Sequence, residues 1–497
     1  MNNKRVVIIG GGNAALCAGI AALEAGAEAT ILEKANADEA GGNSRYTAGA
    51  MRFAYSSRDE ILPLLRDPSD ARLDRTDFGA YTKEQFARDM LYFNEGRPLN
   101  ELQRRLIDDS HATMLWLTRH NVRFDPIYSR QTFEKDGKDV FWGGLTLEAK
   151  GEGVGLVDAE LREFERLGGR VRYQANCREL LRENGRIIGV QFETPQGSES
   201  LSADAVVLAC GGFEANPEMR SRLLGERWER AKVRGTPHNT GAGLTMALNA
   251  GATLFGKSDG CHAVPMDRHM PDYGNVELPI IERKKYRKIC YFLGVMLNAN
   301  GERFVDESEN FRNYTYAQFG RAILEQPGSF AWQVFDDKVA PLLYDEYRFE
   351  HASYVEADTL EEIASRLQDV DARSALQTLR EFNTAVDENS SFDPSSLDGR
   401  CTRGLSLNKS NWANKLDTPP YRAYPVTCGI TFTYAGLRID ETAAVLDAAE
   451  KRIPGLYTCG EMVGGIFFEG YPGGSGLTSG AVFGRLAGRS AAGNEST

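Results

Sequence analysis

The sequence predicts an α/β fold with a smaller α+β domain inserted into it, and three features carry that expectation. The first is the opening stretch, KRVVIIGGGNAALCAGIAALEAGAEATILEK. It reads as a buried strand, a glycine turn, a helix of small residues and a second strand ending at Glu33. The second is a set of later glycine turns at 210–217, 239–243 and 459–461, most of them following apolar strands. The third is the length: 497 residues exceed what one hydrophobic core usually serves, so the chain is expected to divide.

Along the chain, the charged, amphipathic stretch from Asp59 to about His120 predicts helices covering the sheet. The glycine-rich run VFWGGLTLEAKGEGVG leads into a predicted helix, LVDAELREFERLGG. A strand RVRYQA, a hairpin-like stretch GRIIGVQFETPQGSESLSA and a strongly apolar strand AVVLACGG follow. From about Thr253 the pattern turns to loops, then to alternating helices and short strands up to about Pro420. This is read as the inserted capping domain, 253–421, with the nucleotide-binding domain in two segments, 1–252 and 422–497. The tail returns through a strand GLYTCG, a loop YPGGSG and a closing helix LTSGAVFGRLAGRSAA; DENSSFDPSSLDG (387–399) reads as a flexible loop.

A formal net charge of −12 argues against nucleic acid or an anionic membrane as a partner. The eight cysteines show no CxxC spacing, so no zinc, iron–sulfur or other metal site is expected. No apolar run approaches eighteen residues, and the first, Val6 to Ile9, is too short for a signal segment. The expectation is a cytoplasmic protein with no direct membrane insertion.

Gly10, Gly12 and Ala15 form GxGxxA between strand and helix, where absent or small side chains let backbone approach a pyrophosphate at the positive helix end. Glu33 closes the second strand, where a carboxylate accepts hydrogen bonds from an adenosine ribose. Together these make the first domain a Rossmann-type dinucleotide-binding domain. The segment GGNSRYTAGAM (41–51) adds backbone donors that a nicotinamide site would not require.

The phrases GGNSRYTAGAMRF, GCHAV, LNANGERFVDESENFRNYTYA, PVTCGITFT and GEMVGGIFFEGYPGGSGLTSGAVFGRLAG carry a resemblance over essentially the whole chain. It is to the flavoprotein subunits of fumarate reductase and succinate dehydrogenase together with 3-ketosteroid dehydrogenases, and within these most to tricarballylate dehydrogenases, which desaturate a tricarboxylate to cis-aconitate. The resemblance implies FAD as cofactor. The family position that can carry a covalent histidine is Tyr46 here, so the FAD is expected to be non-covalent. The implied cofactor-binding residues are Gly10, Gly12, Asn13, Ala14, Ala15, Glu33, Lys34, Gly41, Gly42, Asn43, Ser44, Thr47 and Gly49 from the opening unit. Cys177, Ala209, Cys210, Gly211, Asn239, Thr240, Gly241, Gly460 and Glu461 follow, and then Ser475, Gly476 and Leu477, whose free N–H groups would steady charge on the flavin ring.

The same resemblance points to Arg312, Tyr471 and His262 as catalytic residues, and to His262, Arg52, Arg283, Arg287, Thr427 and Tyr471 as substrate-binding ones. Arg312 equally well binds a carboxylate without moving a proton. Fumarate reductase machinery is incomplete: Val426 replaces a family histidine, Tyr471 an arginine, and Arg287 and Cys290 fall on its proton relay. The expected reaction is therefore desaturation of a C–C bond of a small polycarboxylate, tricarballylate-like, by hydride transfer to flavin N5. A ketone, steroid-like or other apolar substrate is one alternative, and a non-catalytic electron-relay flavoprotein another. An iron–sulfur or haem protein is the implied electron acceptor, because the chain has neither cluster ligands nor a second dinucleotide fingerprint.

Overall fold

The computed structural model describes residues 3–274 and 276–494. The chain divides into two compact units: Met1–Gly225, Gly235–Cys261 and Phe432–Thr497 form the first, Glu226–Arg234 and His262–Thr431 the second.

In the first unit β1 (Arg5–Ile9) lies between β2 (Glu28–Leu32) and the strand Ala205–Leu208, parallel to both. A central strand covered on both faces has no solvent side, which is why Val6 to Ile9 run apolar without alternation. The sheet order is Ala444–Leu446, Arg452–Thr458, Ala205–Leu208, β1, β2, Arg170–Arg172, parallel except for its first pair. The carboxyl ends of β1 and its neighbours therefore deliver Gly10, Ala209 and Cys459 to one edge, where ligands of such sheets bind. Gly10 has φ of 110°, and a β-carbon there would collide with the Ala209 carbonyl, so the turn into α1 (Asn13–Glu24) demands glycine.

The closing helix, Ser475–Ala491, packs along α1 through Gly480, Gly484 and Gly488. A β-carbon at each would come closer than 3.0 Å to Asn13, Ala14 and Ala18 respectively. Glycines four apart lie on one helix face and allow the two backbones to touch. Helices Lys83–Tyr92 and Glu101–Arg119 occupy the amphipathic stretch, the second begun by a capping box between Asn100 and Gln103.

A separate antiparallel sheet holds Asn176–Glu183, Arg186–Thr194 and Gly197–Ser202. The last two are the expected hairpin. The first escaped the sequence reading because a bulge between Cys177 and Glu179 breaks its inside–outside alternation.

In the second unit the strand Tyr421–Thr433 pairs with Phe330–Phe335, Val355–Ala357, Lys232–Val233 and Cys261–Asp267. These pairings place 422–431 in this unit, not in the returning tail. Conversely, Leu254–Phe255 pairs with Gly436–Leu437 and stays in the first unit. The expected boundaries, after 252 and 421, thus move to 261 and 431. The segment 387–399 lacks helix and strand but is tied down: Asp393 accepts from Ser395 and Ser396, and Asp398 from Arg400 and Trp412 backbone N–H groups. The described residues contain no helix long and apolar enough to cross a membrane.

The contact between the closing helix and α1 sets a measurable cost. Gly488→Val should lower stability by about 1–3 kcal/mol or more through overpacking against Ala18, read as a lower urea midpoint and reduced bound flavin.

Candidate functional site

At the sheet edge of the first unit, the 41–49 loop lies over the start of α1. The Asn13 N–H donates to Ser44 Oγ at 3.1 Å, and Asn13 Nδ2 donates to the Leu477 carbonyl at 2.9 Å, joining the first turns of α1 and the closing helix. Thr47 Oγ1 donates to the Ser44 carbonyl at 2.8 Å and receives the Gly49 N–H at 3.1 Å, which fixes the turn after the loop. Asn43 Oδ1 accepts from the Thr236 N–H at 2.9 Å.

Glu33 is buried at the end of β2. Its Oε1 accepts the Ala35 N–H at 2.7 Å, its Oε2 faces Gly11, and burial pushes its carboxyl above the ordinary range. Lys34 reaches Thr240 Oγ1 at 3.4 Å, and burial holds its ammonium below the usual value. The 210–217 and 239–241 turns are laced together: Gly241 N–H donates to the Gly212 carbonyl at 2.9 Å, Ala215 N–H to Asn239 at 2.9 Å, and Asn216 Nδ2 to Thr240 at 3.0 Å. Cys177 and Ala209 are buried beside these segments, while Cys210 Sγ lies 3.5 Å from Met462 Sδ.

The closing helix begins at Ser475, whose N–H already donates to the Pro472 carbonyl at 3.1 Å; its hydroxyl does the same at 2.7 Å. This corrects the expectation of three free N–H groups: the Ser475 N–H is taken by a carbonyl ahead of the helix, which leaves those of Gly476 and Leu477 in the first turn. Tyr471 stands beside them, its hydroxyl 3.9 Å from where a Gly476 β-carbon would sit, and packs with Phe432, Tyr434 and Phe467 at centroid distances of 5.0–6.3 Å. Arg52 is fully buried behind this loop: its Nε donates to the Gly473 carbonyl at 2.7 Å and its Nη1 to Gly143 at 2.9 Å, with Asp89 3.8 Å away. The side chain braces the loop, a role the sequence reading had not given it.

The second unit gathers cations. His262 lies in the strand Cys261–Asp267, ring to ring with Tyr316 at 4.9 Å. Its imidazole is held well below its ordinary value, first by burial and then by Arg234 and Arg287. Arg287 pairs with Glu346. Arg312 starts the helix Arg312–Leu324, stacks over Tyr344 at 5.3 Å, and so adds its charge to the positive end of the helix, one turn before Tyr316. Arg283, Lys284, Arg287 and Lys288 are all buried within six residues, and burial lowers Lys288 to about 8. Two expected substrate contacts are engaged within the fold: Arg283 donates to the Leu278 and Val276 carbonyls, each at 2.9 Å, and Thr427 Oγ1 to Ser329 at 2.9 Å. Arg283 therefore closes the loop ahead of its helix.

Residues 5–477 match the family described as FAD binding domain. The chain belongs to that family. NADH:acrylate oxidoreductase of Vibrio harveyi is 24% identical over 98% of this chain and 50% of that protein, so the chain spans about half its length. A probable fumarate reductase, Ifc3, of Shewanella frigidimarina is 26% identical over 98% of this chain and 74% of that one. Among solved structures, the open conformation of a flavocytochrome c3 fumarate reductase superposes with a TM-score of 0.74 at 24% identity, covering 100% of this chain and 79% of the other.

FAD is the cofactor of the family, and the first unit fits it. The Gly10 turn, packed against the Ala209 backbone where no side chain fits, leads the chain directly into the start of α1. Glu33 is a buried acid whose carboxylate accepts backbone N–H groups, among them that of Ala35, and ribose hydroxyls would add to its hydrogen bonding. The sequence reading passed over Arg234, Tyr316, Tyr344, Glu346 and Glu214. Only Glu214 left a legible trace, an acid set between Phe213 and Ala215 directly after a glycine turn.

Two outcomes follow. Glu33→Ala should weaken FAD binding by about 1.5–3 kcal/mol, the worth of hydrogen bonds to a charged group, in a fluorescence titration. His262 stays unprotonated when folded, whereas an unfolded imidazole gains a proton below about pH 6.5. Its stabilisation is therefore complete above that pH and is lost as pH falls, by at most about 1.4 kcal/mol per unit. Urea unfolding of His262→Asn should lack this component of the slope between about pH 6.5 and pH 5.

Proposed function

We propose that the chain is an FAD-dependent oxidoreductase acting on a C–C bond of a small polycarboxylate, with tricarballylate as the test compound. The observation that supports it is the positive field converging on His262, to which Arg234 and Arg287 both contribute, with Arg312 opening the helix whose Tyr316 packs against the His262 ring. Several buried cations close together are costly unless anions are brought to them. Guanidinium groups hold carboxylates through paired, charge-assisted hydrogen bonds. A neutral His262 adds a donor or acceptor without adding to the repulsion.

Bound FAD supplies hydride exchange with carbon. The proton that accompanies it is assigned to Arg312 or to Tyr471, Arg312 because it and Arg287 both act on the buried Cys290 and Tyr471 because its hydroxyl stands at the first turn of the closing helix. The relatives named for acrylate and fumarate agree with a short carboxylate as substrate class. Electrons are assigned to a separate iron–sulfur or haem protein. A second reading, a ketone or steroid-like substrate, is favoured by the wall of Phe432, Tyr434, Phe467 and Tyr471 in the first unit.

Under anaerobic conditions tricarballylate should bleach the flavin absorbance of the purified protein, and Arg312→Ala should slow bleaching by about 10²–10⁴-fold, the usual share of a proton-transfer group. A wild type that dithionite bleaches and tricarballylate does not would remove the polycarboxylate reading and leave the apolar ketone, to be tested with Tyr471→Phe.

A further inference from the structure

Two carboxylic acids without a part in the proposed reaction meet where the glycine turns of the first unit converge. Glu214 follows the Gly211–Gly212 turn and is fully buried. Its Oε1 accepts from Asn43 Nδ2 at 3.2 Å, Asn239 supplies another side-chain hydrogen bond, and no donor among the described residues reaches Oε2. Glu461 follows Gly460, and its Oε1 accepts both the Thr433 N–H at 2.6 Å and the Thr433 hydroxyl at 2.8 Å. The Glu461 carboxyl lies against Gly212, two residues before Glu214, which brings the two carboxyl groups within reach of one another.

Ionised carboxylates accept hydrogen bonds and cannot donate them, so a bond between two carboxyl groups needs a proton on one. Two negative charges at that separation, out of water, do not both persist. We propose that Glu214 and Glu461 share one proton in the folded chain and that this proton couples retention of FAD to pH. Burial pushes Glu214 well above the carboxylate range, with the charge of Glu461 next in effect, and burial raises Glu461 as well. The charged groups on the surrounding elements are Arg220, which donates to the Glu214 backbone carbonyl, Arg45, paired with Asp158, and Lys34, at Thr240; the titratable His238 faces Lys34 and Glu39.

The pair ties the 41–49 loop, through Asn43, to the 211–214 turn, and that turn to Thr433 and Gly460. These are segments expected to hold FAD, and with the proton gone two anions in contact would drive them apart. The sign follows. Unfolded glutamates lose their protons near about pH 4.3, so above that pH the folded pair binds more protons than the unfolded chain. The stabilisation is complete at low pH and falls as pH rises through the titration of the pair.

The inference rests on FAD being the cofactor and not on the substrate, so it is tested by binding. The dissociation constant of FAD, read from the fluorescence of released flavin, should rise up to about tenfold per pH unit in the wild type as the solution is made alkaline. Glu214→Gln, which keeps the shape and removes the shared proton, should give a constant that varies little with pH. Infrared difference spectra of the two should show one protonated-acid carbonyl band that the variant lacks. Equal pH dependence in both proteins, or no such band, overturns the proposal. Should Glu214→Gln fail to fold, the wild-type acid band must disappear over the pH range in which FAD is released; release with that band unchanged overturns it too.

Discussion

The first unit depends on two helix starts being held side by side. Asn13 opens α1 and Leu477 lies in the first turn of the closing helix, yet the Asn13 side chain bonds the Leu477 carbonyl across a sequence separation of 464 residues. That link is possible only because Gly480, Gly484 and Gly488 let the helix axes approach until backbone meets backbone. Two positive helix ends then face one region. The arrangement is electrostatically unfavourable until an anion is nearby, which is what a dinucleotide with a pyrophosphate supplies. Arg52, buried under the Gly473–Gly474 loop, serves the same end by fixing the approach to the second of these helices.

Buried charge organises the second unit as well. A segment with five cations in six residues, from Arg283 to Lys288, would ordinarily be a solvated face, and here four of the five are buried. Backbone carbonyls take up part of this charge: Arg283 uses Leu278 and Val276, and Lys288 uses Glu346. Arg287 has the carboxylate of Glu346. His262 is surrounded by like charge and remains neutral, so burial and field decide its protonation together.

The legible part of the candidate site was the part encoded locally. Gly10, Gly12 and Glu33 announced a dinucleotide because strand, turn, helix and acid lie within one βαβ unit, and the family match bears out FAD. Arg52 and Arg283 show the limit of reading by charge: both look like ligands for a carboxylate, but the fold turns their donors onto main-chain carbonyls. Ser475 shows the same limit for backbone, since a tight turn from Pro472 consumes its N–H. Arg234 went unnoticed because nothing in its neighbours along the chain distinguishes it; His262 does so in space.

By itself the sequence determined the α/β class, the opening βαβ unit, the cofactor and the existence of a second unit, because each rests on periodicity, on small residues at fixed spacing or on long shared motifs. Tertiary structure alone decided which strands close each unit, where the boundary falls within the strand Tyr421–Thr433, which arginines brace loops, and that Glu214 meets Glu461. The physical reason is that pairing, burial and the dielectric around a charge are set by residues hundreds of positions apart, and local pattern carries no record of which of them will meet.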